Sequence, residues 1–178
     1  MYLYENAQIN IVLGDITAIE VDAIVNAANN TLLGGGGVDG AIHRVGGKRI
    51  LEQCKKIGGC PTGEARITTA GDLSSKYVIH TVGPIYKDGR TGENKLLYNA
   101  YYNSLELAKE YKMKTIAFPS ISTGAYGYPI EEAMKIALKS IMDFIDKEKI
   151  DLDITFVLFN NENYLLYKNY LSEKLLQF

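Results

Sequence analysis

Short apolar runs alternate with helix-patterned stretches along this chain, and that alternation restricts its fold more than any other feature. Ile9–Leu13, Ala23–Asn26, Ala65–Thr69, Tyr77–Val82, Thr115–Phe118 and Ile154–Phe159 read as strands. Between them, Val38–Val45 has helical spacing that Lys48–Cys54 continues. In Leu96–Tyr111, the residues Leu97, Ala100, Tyr101, Ser104, Leu105 and Ala108 fall on one stripe of a helix. Pro129-Ile130-Glu131-Glu132 opens another helix, with proline near the first turn and acids beside it, running to about Lys147. Asn161–Leu175 reads as a last helix. Strands that alternate with helices build a mainly parallel sheet covered on both faces, an α/β fold. Ligands of such sheets bind outside the carboxyl ends of the strands. The loops after Leu13, Asn26, Phe118 and Phe159 are therefore expected to meet at one crevice.

With 178 residues, 47% of them hydrophobic and 22% charged, the chain is expected to be one ordered domain spanning 1–178. A net charge of -2 argues against a basic surface for duplex nucleic acid. It leaves room for a small anion, since backbone N–H groups hold phosphates without lysine. Cys54 and Cys60 read as ordinary thiols of a reducing cytosol, so the expected location is cytoplasmic. No secretory signal pattern opens the sequence, and no apolar run approaches the ~18 residues that cross a bilayer.

The four loops carry nearly all the unusual chemistry. In Gly14-Asp15-Ile16-Thr17, Asp15 is either a turn or capping acid or an acceptor for the exocyclic amine of a purine. The stretch Asn26 to His43 is more telling. Gly34–Gly37 spend much backbone entropy in four consecutive glycines. A loop that must close its N–H groups around phosphate oxygens needs such residues, and the helix starting near Val38 aims its partly positive end at the same place. Asp39 and His43 share one helical face. An acid there would repel a phosphate, so Asp39 is better explained as a base, or as a group that orients a ribose hydroxyl or a water. His43 is a satisfied core histidine or the partner that orients Asp39. Asn26, Asn29 and Asn30 bring amides that suit vicinal hydroxyls, with Asn30 equally at home in a turn.

Gly35-x-Gly37-x-x-Gly40 matches the dinucleotide fingerprint formally, but several loop residues separate it from its strand and positions 57 to 60 hold no acid. The loop Pro119–Pro129 is a second small-residue turn at a strand end, in which Tyr126 covers a sugar or simply packs. Phe159 is a base-stacking aromatic or a core residue. His80 lies within a strand pattern and reads as structural. The two histidines and two cysteines show no tight metal-ligand spacing along the chain.

Taken in order, Gly14–Thr17, Val21–Asn29, Gly34–His43, Tyr77–Pro84 and Ser120–Pro129 resemble the macrodomain family, over about residues 8 to 175. The resemblance is closest to the branch of mono-ADP-ribosyl hydrolases that also deacetylate O-acetyl-ADP-ribose. It implies a three-layer α/β/α sandwich on a mixed, mostly parallel sheet of about six strands. It also implies that Asp15 and the Ile16 backbone hold adenine, with Phe159 stacking on it in some members. Gly35, Gly36, Gly37 and Val38 would form one diphosphate loop, and Ser122, Thr123, Gly124, Ala125 and Tyr126 the other. Asn26 and Asn29 would face the distal ribose, and Asn29, Asp39 and His43 match the positions tied to catalysis.

A zinc-using branch carries extra Cys and His near the first loop, where this chain has its glycines, so neither metal nor cofactor is expected. The expected partners are ADP-ribose, ADP-ribosylated proteins or O-acetyl-ADP-ribose, acted on by a monomer. The alternatives are a non-catalytic ADP-ribose reader and an ADP-ribose 1″-phosphate phosphatase.

Overall fold

The computed structural model describes residues 1–175. Seven strands form one sheet: β1 Tyr2–Tyr4, β2 Ala7–Leu13, β3 Ala23–Ala27, β4 Ala65–Thr69, β5 Tyr77–Thr81, β6 Thr115–Phe118 and β7 Asp153–Leu158. Their order is β1-β2-β7-β6-β3-β5-β4. The five central strands, β2 to β5 in that order, run parallel, and the edge strands β1 and β4 are antiparallel to their neighbours. Five helices cover it: α1 Gly37–Gly46, α2 Lys48–Ile57, α3 Glu93–Glu110, α4 Ile130–Glu148 and α5 Asn161–Leu175. The sheet has one strand more than expected, because the three-residue β1 hairpins onto β2 and is too short to show a pattern of its own.

Side chains of a strand alternate between the two faces of the sheet, and the core divides accordingly. Ala23 and Val25 of β3, Ile79 of β5 and Ile116 and Phe118 of β6 pack with α3, α4 and α5. Ile24, Val78 and Ala117, each one position over, pack with Ile42 of α1 and Ile50 and Cys54 of α2. The result is a helix layer on either side of the sheet. The whole stripe expected on α3, from Leu97 to Ala108, is buried.

The strand order places the site. β2, β7, β6 and β3 are consecutive neighbours, and their carboxyl ends, Leu13, Leu158, Phe118 and Ala27, lie at one edge of the sheet. From β2 to β3 is three inter-strand spacings, roughly 14 Å. The loops that follow these strands thus form a row, with Asp15 and Phe159 at one end and the glycine run at the other.

Candidate active site

At the β2 end, Asp15 caps a 3-10 turn, Ile16–Ala18. Its Oδ1 accepts from the Thr17 N–H at 2.9 Å and the Thr17 hydroxyl at 2.8 Å. Both bonds use Oδ1 and leave Oδ2 for another donor. Ile16 is buried beside it. Phe159, just past β7, is 89% exposed, which removes the core reading of this aromatic.

The loop after β6 is strained into shape. Ser122 adopts φ 66, and its carbonyl accepts from the Tyr128 N–H at 2.9 Å. The buried Tyr101 hydroxyl accepts from Ile121 N–H at 3.0 Å and donates to Pro119 O at 3.2 Å, anchoring the start of the turn. Gly83 packs so tightly that a Cβ there would meet Ser122 Oγ at 2.1 Å. Among the described residues, the N–H groups of Thr123, Gly124, Ala125 and Tyr126 have no protein acceptor. Tyr126 is half-buried and its carbonyl accepts from Tyr86 N–H at 2.9 Å.

The glycine run leads straight into α1. Gly36 is the N-cap, with no side-chain cap, and the N–H groups of Gly35, Gly36, Gly37, Val38 and Asp39 likewise have no acceptor among the described residues. The helix dipole adds partial positive charge there. Gly34 and Gly37 need their lack of a Cβ for φ values of 92 and 56. Gly40 is dictated by proximity: a Cβ would lie 2.5 Å from the Gly35 carbonyl oxygen. Asn29 ties the loop together, its Nδ2 donating to Gly34 O at 2.9 Å and its Oδ1 accepting from Thr31 at 2.7 Å.

Asp39 sits 4% exposed at the start of α1. Its Oδ1 accepts from Asn26 Nδ2 at 2.7 Å and lies 3.3 Å from His43 Nε2, too poorly aligned for a hydrogen bond. Its Oδ2 is on the glycine-loop side, 3.1 Å from where a Cβ of residue 35 would be, and Asn29 Nδ2 is 3.4 Å from the same point. An acid oxygen, an amide and a row of N–H groups therefore share one spot.

Asn26 departs from expectation. Expected to face the distal ribose, it is completely buried, with its amide turned onto Asp39 and His80. The reason is strand alternation, since Asn26 shares the inner face of Ile24 beneath α1. His80 lies opposite it in register and is also fully buried. Burial, with a smaller contribution from His43, lowers the His80 pKa to about 3, so the ring is neutral.

The fold also joins what chain spacing kept apart. Donor atoms of His43, Cys54 and His80 lie within 4.8 Å of one another. His80 nevertheless has both nitrogens committed, Nδ1 to Asn26 at 3.1 Å and Nε2 to Thr68 Oγ1 at 2.9 Å. Burial raises the Cys54 thiol to about 11, away from the thiolate that binds metals. With the His80 nitrogens engaged by Asn26 and Thr68 and the Cys54 thiol held protonated, these residues do not fit a metal centre.

A feature absent from the sequence reading is Glu93. Its buried carboxylate accepts from the N–H groups of Lys87, Asp88, Gly89 and Thr91 and so shapes the loop beside Tyr126. An acid at the start of a helix, preceded by a Gly-containing loop, was the available signal.

The Macro domain family model matches residues 25–137. An O-acetyl-ADP-ribose deacetylase of Escherichia fergusonii is 51% identical over 172 residues, covering 94% of this chain and 97% of the relative. The Oceanobacillus iheyensis macrodomain solved with ADP superposes with a TM-score of 0.94 at 43% identity, covering 100% of this chain and 97% of that one. The Trypanosoma brucei macrodomain in complex with ADP-ribose gives 0.87 at 40% identity, with 92% and 69% covered.

Proposed function

Because the chain belongs to the macrodomain family, we propose that it binds ADP-ribose across the four strand-end loops and hydrolyses an ester bond at the distal ribose. The ester joins that ribose to an acidic protein side chain or to an acetyl group. The observation that carries this reading is the pair of unbonded N–H rows, at 35–39 and 123–126, in the loops that follow the neighbouring parallel strands β3 and β6, with one acid fixed beside the first row. Neutral donors hold a diphosphate without a lysine, in keeping with a chain of net charge -2. The relatives support it too: one is named for deacetylating O-acetyl-ADP-ribose, and one structural neighbour was solved with ADP-ribose.

In this reading Asp15, the Ile16 backbone and Phe159 hold adenine. Gly35, Gly36, Gly37 and Val38 clasp one side of the diphosphate and Ser122 through Tyr126 the other. Asn29, Asp39 and His43 serve the chemistry. Water adds its oxygen to the acyl carbon and the bond from that carbon to the ribose oxygen breaks. The water proton passes by way of Asp39 Oδ2, or the substrate's own phosphate, to the departing ribose oxygen, giving a free acid and ADP-ribose. General-base help of this kind is worth ~10²–10⁴ in rate, and the clasped diphosphate adds positioning. The free thiols Cys54 and Cys60 suit a reducing compartment such as the cytoplasm. Every proposed contact comes from one chain, so a monomer suffices.

Asp39→Ala tests the assignment. It is expected to lose most turnover on O-acetyl-ADP-ribose and on a glutamate-modified protein, while calorimetry shows ADP-ribose affinity largely kept. Unchanged turnover would refute the role of Asp39. Wild-type protein that binds ADP-ribose but releases no product from either ester would be a reader.

A further inference from the structure

The buried hydrogen bonds beneath Asp39 have a direction that can be worked out from both ends. Thr68 Oγ1 donates to the Thr69 carbonyl at 2.9 Å, so its one proton is used and it accepts from His80 Nε2–H at 2.9 Å. His80 Nδ1 is then bare, and it accepts from Asn26 Nδ2 at 3.1 Å. From the other end, Asp39 is a carboxylate that only accepts, so Asn26 must turn its NH₂ toward it, and the bond is 2.7 Å. The second proton of that NH₂ meets a bare Nδ1. The two derivations agree on one tautomer and one amide orientation.

We propose that His80 is a positioning residue for Asp39: anchored on Thr68, it sets the Asn26 amide, which holds Asp39 Oδ1 and leaves Oδ2 for the reacting group. The proposal rests on the reading of Asp39 given above. Strand register supplies the alignment, because Asn26 and His80 are paired across β3 and β5 and point to the same helix layer as Thr68. Asn26 and His80 are 0% exposed and Thr68 3%. In so dry a place such bonds strengthen one another and a wrongly turned group is costly. The opposite tautomer would put an Nδ1 proton against the Asn26 protons and tilt the amide away from Asp39. Burial keeps the ring neutral, so ordinary pH changes do not reset the relay. Cys54 Sγ, 3.8 Å from Nε2, closes the far side of the ring.

The test compares two substitutions. In His80→Asn the amide oxygen falls where Nδ1 was and keeps the acceptor for Asn26. His80→Gln keeps a donor toward Thr68 and removes that acceptor. Losing a well-directed hydrogen bond to a charged group corresponds to about 10- to 150-fold in rate. His80→Gln is expected to lower kcat on O-acetyl-ADP-ribose by that order, with KM and ADP-ribose affinity unchanged, and His80→Asn to restore most of it. Equal losses in both, or a loss confined to KM, would overturn the proposal. Should either variant fail to fold, ring nitrogen NMR of the wild-type protein decides. A proton on Nε2 with Nδ1 bare is expected, and a proton on Nδ1 would overturn the relay. An active Asp39→Ala would sink the function reading and this one with it, whereas an inactive Asp39→Ala with equal His80 losses would sink the relay alone.

Discussion

Replacing Gly40 with alanine sets two opposing effects against each other. In a helix interior that change normally stabilises by about 1 kcal/mol, because glycine loses more chain entropy on folding. Here the new Cβ would lie 2.5 Å from Gly35 O, and real Cβ contacts essentially never fall below 3.0 Å, so helix and loop must part by at least 0.5 Å. The obstacle is a backbone carbonyl that no rotamer change can move aside. Overpacking of that kind costs about 1–3 kcal/mol, so the clash outweighs the helix gain. The displaced atoms belong to the loop proposed to clasp the diphosphate. A hydrogen bond to a charged group contributes about 1.5–3 kcal/mol, and losing one weakens binding about 10- to 150-fold. Denaturant unfolding and calorimetry with ADP-ribose measure the two effects. Gly36→Ala is the control for folding, since Gly36 has an ordinary φ of -92 and open space around its Cβ position. A Gly40→Ala protein as stable as the parent, with unchanged ADP-ribose affinity, would refute the argument.

Three other outcomes are expected. Phe159→Ala should weaken ADP-ribose binding about 2- to 12-fold, the worth of one aromatic contact. It should leave the melting temperature unmoved, because the side chain is 89% exposed. Tyr101→Phe strands the Ile121 N–H that the hydroxyl accepts at 3.0 Å. It should cost about 1–3 kcal/mol in denaturant unfolding. Glu93, held by four backbone N–H groups, has its pKa lowered from 4.5 to about 2 despite partial desolvation. A carboxylate with a depressed folded value stabilises the protein above its unfolded pKa and loses that contribution as pH falls from about 4.5 to about 2. Melting temperatures across that window should fall more steeply for the parent than for Glu93→Gln.

The sequence made the order of elements legible because each local pattern agreed with its neighbours. The short apolar runs became β2 to β7, and the stripe on α3 is the face that packs. The clustering of the four loops followed from a parallel sheet. What stayed hidden depends on register and on contacts between distant segments. Asn26 looked like a ribose ligand because its neighbours Asn29 and Asn30 are in a loop, yet Asn26 is still in β3 and its side chain points beneath α1. His80 read as a structural residue of a strand and is fully buried. Only its pairing with Asn26 and Thr68 reveals a connected chain of bonds. His43, Cys54 and His80 are far apart in sequence, so no spacing rule could have joined them.

Strand order separates the two ends of the crevice by position along the chain as well as by distance. Asp15 and Phe159 fall outside residues 25–137, the stretch the family model recognises, whereas the glycine run, Asp39 and the 122–126 turn fall within it. The end proposed to recognise the base is thus assembled from the flanks of the polypeptide, and the end proposed to cut the bond from its middle. On the proposed function, substitutions in the loops after β2 or β7 are expected to change nucleotide preference while the residues proposed for hydrolysis, after β3 and on α1, are left alone. On that reading, base recognition and bond cleavage in this protein are carried by separate stretches of chain that can be altered one at a time.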